Sequence, residues 1–241
     1  MTTQIDELMT FLSGSITPFH AVEVMAKTLQ RAGFEQLDQF DAVRMTPGKG
    51  YFVVHQGSSL MAVRAGHSGV EAGLRLVGAH TDSPNLSVKP NPVKGRDGCI
   101  QLGVDVYGGA LLNPWFDRDL GMAGRLSMLT PDNALRTTLF DTGRAVAVIP
   151  SLAIHLDREA NSQRSINPQK DVVPLVMLGE HQQYDLKTWL AQELALADSQ
   201  WQGARVMDYE LSLYDTQPPN QIGIDGDFIA SARLDNLLSC F

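Results

Sequence analysis

Apolar side chains along the N-terminal stretch recur at helical spacing. Ile5, Leu8, Met9 and Leu12 define one face, and Gly14 can end that turn. Thr17-Pro18 then reads as an N-cap followed by proline at the first helical position, where its missing N–H costs nothing. Ala21, Val24, Met25, Thr28 and Leu29 continue an apolar face up to Gly33, a C′ residue. Beyond Gly33 the period changes. Residues 51–55 and 60–64 flank Gln56-Gly57-Ser58-Ser59, which predicts a hairpin. Residues 74–79 (LRLVGA) form a short apolar run of buried-strand type that leads straight into His80-Thr81-Asp82-Ser83-Pro84.

Pro84, Pro90 and Pro92 follow so closely that helix and central strand are both excluded for this stretch, which reads as a crossing between domains. Next comes a β-rich section. Ile100, Leu102, Val104 and Val106 alternate, and residues 125–129, 135–140 and 145–149 are further strand candidates. Residues 161–170 (NSQRSINPQK) are polar and read as a loop. One strong helix follows, with Asp185 as cap and Leu186, Trp189, Leu190 and Leu194 on its apolar face. Residues 206–214 return to extended structure, and Gln217-Pro218-Pro219-Asn220 breaks it. Asp225-Gly226-Asp227 predicts a tight turn before an extended segment at 228–234. Prolines at both ends of the β-rich section suggest that residues 88–216 are an insertion, after which the chain re-enters its first domain.

The balance of 19 Lys and Arg against 27 Asp and Glu, a formal charge of -8, argues against a broad nucleic-acid surface or an anionic-lipid surface. Hydrophobic residues at 44% exclude a wholly disordered chain. Cys99 and Cys240 cannot make a disulfide framework, and a reduced, cytoplasmic setting is expected. No apolar run reaches the length of a membrane span, and the N-terminus lacks the marks of a signal peptide.

Walker, G-x-G-x-x-G, H-E-x-x-H and G-x-S-x-G motifs are all absent. Two short segments carry candidate chemistry. In extended backbone His80 and Asp82 project to the same side, so Asp82 can orient a metal-ligating His80; an ordinary polar loop with a His–Asp hydrogen bond fits the same residues. Asp235, in Arg233-Leu234-Asp235-Asn236, offers a carboxylate able to bridge two metal ions or to cap a following helix. His155 lies in an apolar run and reads as a core or interface histidine. His20 sits in a first helical turn, and His55, His67 and His181 lie beside turns. The cluster Trp115-Phe116-Asp117-Arg118-Asp119 reads as a contact surface with an internal Asp–Arg pair.

Taken in order, Thr17-Pro18-Phe19-His20-Ala21-Val22, Gly78-Ala79-His80-Thr81-Asp82-Ser83-Pro84, Trp115-Phe116-Asp117-Arg118-Asp119-Leu120, Ile149-Pro150-Ser151-Leu152-Ala153-Ile154-His155-Leu156 and Arg233-Leu234-Asp235-Asn236-Leu237 resemble the aspartyl aminopeptidase family of dinuclear zinc exopeptidases. The resemblance implies an α/β fold: an α/β/α peptidase domain, incomplete here, interrupted by an inserted β-rich dimerisation domain. The expected division is 1–87, 88–216 and 217–241. It further implies two Zn2+ per full-length subunit, with His80 as a zinc ligand, Asp82 orienting it and Asp235 bridging the metals. His155 is implied to reach the active site of a neighbouring subunit or, ranked lower, to bind metal itself. Peptide substrates with N-terminal Asp or Glu and a closed homo-oligomer are implied as partners, with no nucleic acid and no membrane.

In that family the catalytic glutamate, its neighbouring glutamate ligand and the last Asp and His ligands follow the Arg-Leu-Asp-Asn segment. This chain stops at Phe241, so the 241-residue polypeptide alone is expected to be inactive and to bind zinc weakly. Two rivals stand beside this reading. One is another dinuclear zinc amidohydrolase, a neutral aminopeptidase or deacylase. The other is a non-catalytic module that uses 88–216 to oligomerise.

Overall fold

The computed structural model of the chain describes residues 3–40, 44–68, 71, 73–179 and 184–241. His181 lies outside them. Backbone contacts divide the chain into Met1–Ser83 with Pro218–Phe241, and Pro84–Gln217.

The first unit opens with α1 (Gln4–Gly14), capped by a reciprocal Thr3–Asp6 box, and α2 (Pro18–Arg31). Thr17 occupies the N-cap position of α2 but gives no side-chain cap. Its Oγ1 lies 2.8 Å from His20 Nδ1 instead, so the hydroxyl holds an imidazole rather than the helix N–H groups. Gly33 takes φ 83°, the left-handed end of the helix that an L side chain would resist. Strands β1 (Glu35–Gln36), β2 (Gly50–His55) and β3 (Ser59–Arg64) form a three-stranded sheet, the latter two as a hairpin with positive φ at Gln56 and Gly57. Leu8, Phe11 and Leu12 of α1, Ala21 of α2 and Leu237 make a small core.

Residues 74–79 do not form the expected strand. Leu76 and Val77 are 89% and 96% exposed, and the run has no ladder partner among the described residues. Strand character in such a run depends on neighbours to pack against, and here none is supplied.

In the second unit one antiparallel sheet runs in the order β7-β6-β9-β4-β5-β8. Its strands are β4 (Asn85–Arg96), β5 (Cys99–Tyr107), β6 (Leu120–Leu129), β7 (Leu135–Asp141), β8 (Leu175–Leu178) and β9 (Arg205–Asp215). Helix α3 (Leu186–Ala197) starts at Asp185, whose carboxylate accepts from the N–H groups of Lys187 and Thr188. It buries Leu186, Leu190 and Leu194 in a core shared with Leu126, Met128, Leu211 and Leu213. Each such leucine contributes roughly 1.5–3 kcal/mol of burial.

The exclusion of a central strand at the prolines fails, because β4 lies between β9 and β5. The sheet tolerates Pro90 and Pro92 because the β4–β5 register breaks between Val88 and Val93, leaving the prolines outside the ladder. Tyr209 closes the gap, its hydroxyl reaching the carbonyl oxygens of Lys89 at 2.7 Å and Pro90 at 3.0 Å. A second irregularity, at Ser127/Met128 against β9, lets Met207 bulge out and returns Tyr209, Leu211 and Leu213 to the core face. Residues 145–149 make isolated bridges only, Ala147 with Leu120 and Val148 with Leu175.

The chain then returns to the first unit. A short hairpin of β10 (Asn220–Ile222) and β11 (Phe228–Ala230) surrounds the Asp225-Gly226-Asp227 turn, and α4 (Leu234–Cys240) follows. The expected extension through residue 234 stops at Ala230.

Candidate metal centre

Two segments of the first unit converge on His80. Thr81 Oγ1 donates to the carbonyl of Ser58 at 2.9 Å, fastening the loop to the β2–β3 turn. Asn236 Oδ1 accepts from the backbone N–H of His80 at 3.1 Å, and the thiol of Cys240 lies 3.3 Å from the His80 carbonyl. Burial pushes that thiol's pKa up, so it stays a protonated donor. The opposing segment is held in turn: Arg233, at φ 63°, donates from Nη2 to the carbonyl of Leu12, and Leu237 enters the small core.

The ring of His80 is fixed by what surrounds it. Nδ1 lies 3.0 Å from the backbone oxygen of Asp82 and 3.1 Å from its Oδ1. Both are acceptors, so Nδ1 carries the proton, and in the neutral ring Nε2 presents a lone pair. That lone pair faces Asp235 Oδ1 at 3.7 Å. Two electron-rich atoms facing each other repel, and a cation between them reverses the sign. Two donors on one tetrahedral zinc, each about 2.1 Å from it, stand about 3.4 Å apart, so the pair fits a zinc ion with a small adjustment. The side chains of His80 and Asp235 are 55% and 79% exposed, which leaves a metal and further ligands open access.

Asp235 has the extended backbone of a residue that precedes a helical turn (φ -88°, ψ 111°), yet among the described residues no helix N–H donates to its carboxylate, so it does not cap. Among the described residues no group of three or more His, Cys, Asp or Glu side chains gathers at metal-binding distance. The described residues therefore bring together two donors of the three or four that a zinc site takes. Asn236 was missed from sequence, although it stands beside Asp235 in the same motif. A side-chain amide reaching a backbone N–H across 156 positions leaves no periodic signal.

His155 belongs to the other unit and is not a core residue. It is exposed in an irregular loop, where Asp157 N donates to Ala153 O at 3.2 Å. In the aromatic cluster, Arg118 pairs with Asp215 at 3.2 Å rather than with its neighbours. Asp117 accepts from Ser151 N at 2.8 Å, a hydrogen bond that lowers its carboxyl pKa.

A mixed α/β unit interrupted by an antiparallel insert, with a lone-pair nitrogen held opposite a carboxylate, defines a protein of candidate metallohydrolase class. The chain belongs to the aminopeptidase I zinc metalloprotease (M18) family, whose pattern matches residues 11–241. It is 48% identical over 236 residues to the probable M18 family aminopeptidase 2 of Pseudomonas entomophila, covering 97% of this chain and 54% of that protein. Among solved structures, Chaetomium thermophilum mApe1 is 28% identical with a TM-score of 0.82 over 95% of this chain and 54% of its own. The S. cerevesiae mApe1 dodecamer is 25% identical with a TM-score of 0.77, over 96% of this chain and 52% of its own. The chain thus spans about half the length of the curated relatives it matches.

Proposed function

We propose that this chain supplies part of the active centre of a zinc metallo-aminopeptidase that releases N-terminal residues, preferably Asp or Glu, from peptides. The observation that carries the reading is His80 Nε2 held 3.7 Å from Asp235 Oδ1. His80 and Asp235 would hold zinc, Asp235 as a carboxylate ligand common to both ions. Zinc at such a centre polarises the scissile carbonyl and makes water acidic enough to attack near neutral pH. The chain's own residues do the positioning: Asp82 holds the proton on Nδ1, while Thr81 and Asn236 fix the backbone that carries the ring. His155 contributes from a neighbouring subunit of a homo-oligomer, and residues 84–217 supply the assembly surface. The remaining ligands and the general base come from the part of the relatives' length that this chain does not span.

The test uses a protein at the relatives' full length. Metal analysis should give two zincs per subunit, and release of N-terminal Asp and Glu should exceed release of Leu. A preference for Leu would transfer the assignment to a neutral aminopeptidase. Absence of zinc would leave a non-catalytic assembly module.

A further inference from the structure

Residues 150–164 of the second unit form a largely exposed loop with both feet on one short platform. At the first foot, Asp117 N donates to Ile149 O at 2.9 Å, and Asp117 Oδ1 accepts from Ser151 N at 2.8 Å. At the second, the Arg164 guanidinium lies 4.1 Å from the Phe116 ring centroid and donates to Asn113 Oδ1 at 3.2 Å. Between the feet the chain closes on itself, with Leu156 N and Asp157 N both donating to Ala153 O. His155 stands within that turn. Asp117 has φ 59°, a left-handed conformation that most side chains avoid and that Asp and Asn tolerate. A residue keeps such a backbone only where its surroundings over-determine it, and two hydrogen bonds to the loop do so here.

We propose that Asp117 is a positioning residue that presents His155. It acts on the loop rather than on substrate, and its carboxylate sets where the 153–157 turn begins. Arg164 stacked on Phe116 keeps the far foot from swinging away, so the loop holds one course rather than an ensemble. The inference rests on the reading that His155 acts at an active site.

Two variants separate acceptor from backbone. Asp117→Gly removes the carboxylate while accepting positive φ freely, and Asp117→Asn keeps an acceptor in the same conformation. In hydrogen–deuterium exchange on the chain, the Ser151 amide should exchange at least about tenfold faster in D117G, while D117N stays near the parent and β6 and β9 are unchanged. In the full-length protein, D117G should lower kcat on the order of 10–100-fold with KM nearly constant, and D117N should recover most of it. The D117G/H155A double variant should be no worse than H155A. Unchanged Ser151 exchange in D117G, or losses that multiply in the double variant, would overturn the positioning role. Full activity in H155A would remove the role of His155 and this inference with it. A damaged H155A beside an unaffected D117G would overturn the inference alone.

Discussion

At the residue scale, the metal-binding capacity proposed for this chain depends on how one imidazole is oriented. Asp82 bonds His80 Nδ1 through both its backbone and its carboxylate oxygen, and it thereby frees Nε2. Partners of this kind typically account for 10–100-fold in metal affinity. Asp82→Ala should therefore weaken zinc binding by about that factor in a chelator competition, and Asp82→Asn by less. Tyr209 gives a second residue-scale prediction. Its hydroxyl donates to two carbonyls inside the sheet, and Tyr209→Phe should cost about 1–3 kcal/mol in denaturant unfolding. Burial, then the nearby carboxylates of Asp208 and Asp185, push its pKa up to about 12 from 10.0. The folded state therefore holds this proton more tightly than the unfolded chain does. The contribution is complete below pH 10 and is lost as pH rises from 10 towards about 12. Tyrosinate absorbance followed alongside unfolding should show both changes together, and a Tyr209 ionising near 10 would contradict the burial argument.

At the element scale, packing against β9 sets the tolerance of β6. An added Cβ at Gly124 would stand 1.9 Å from the carbonyl oxygen of Glu210, a backbone atom that cannot swing aside. Gly124→Ala should therefore lower the melting temperature more than Leu190→Ala on α3, itself expected to cost about 2–5 kcal/mol. Elements with a clean period were legible from sequence: the alternation of Ile100, Leu102 and Val104 became β5, and Asp185 became the cap of α3. Two elements escaped because their signals are not local. Pro90 and Pro92 forbid ladder pairing at their own positions, yet a register break carries the strand past them, and only the partner strand reveals it. Residues 74–79 have the composition of a buried strand but no partner among the described residues, and composition alone does not make a ladder. The site divides in the same way. His80, Asp82 and Asp235 stood out by residue type and motif, whereas the Asn236 and Thr81 anchors emerge only from the fold.

At the scale of the whole molecule, β4 and β9 explain how an insert can interrupt another unit. The chain enters the second unit at Pro84 and leaves it at Gln217, on antiparallel neighbours joined at Leu86↔Leu213 and Ser87↔Ser212. Its two ends are thus close together, the geometry in which domain insertion costs the host least. Residues 84–217, expressed alone, should unfold in one cooperative thermal transition with β-type circular dichroism; a non-cooperative melt would show that the unit depends on its host. Among the described residues no helix is long and apolar enough to cross a membrane. The proposed catalysis rests on the pairing of His80 with Asp235. The most direct test is zinc content and peptide turnover of the full-length protein beside its His80→Ala variant. His80→Ala should lose one zinc per subunit and most activity, with the oligomer intact. Full zinc content with unchanged turnover would contradict the proposal.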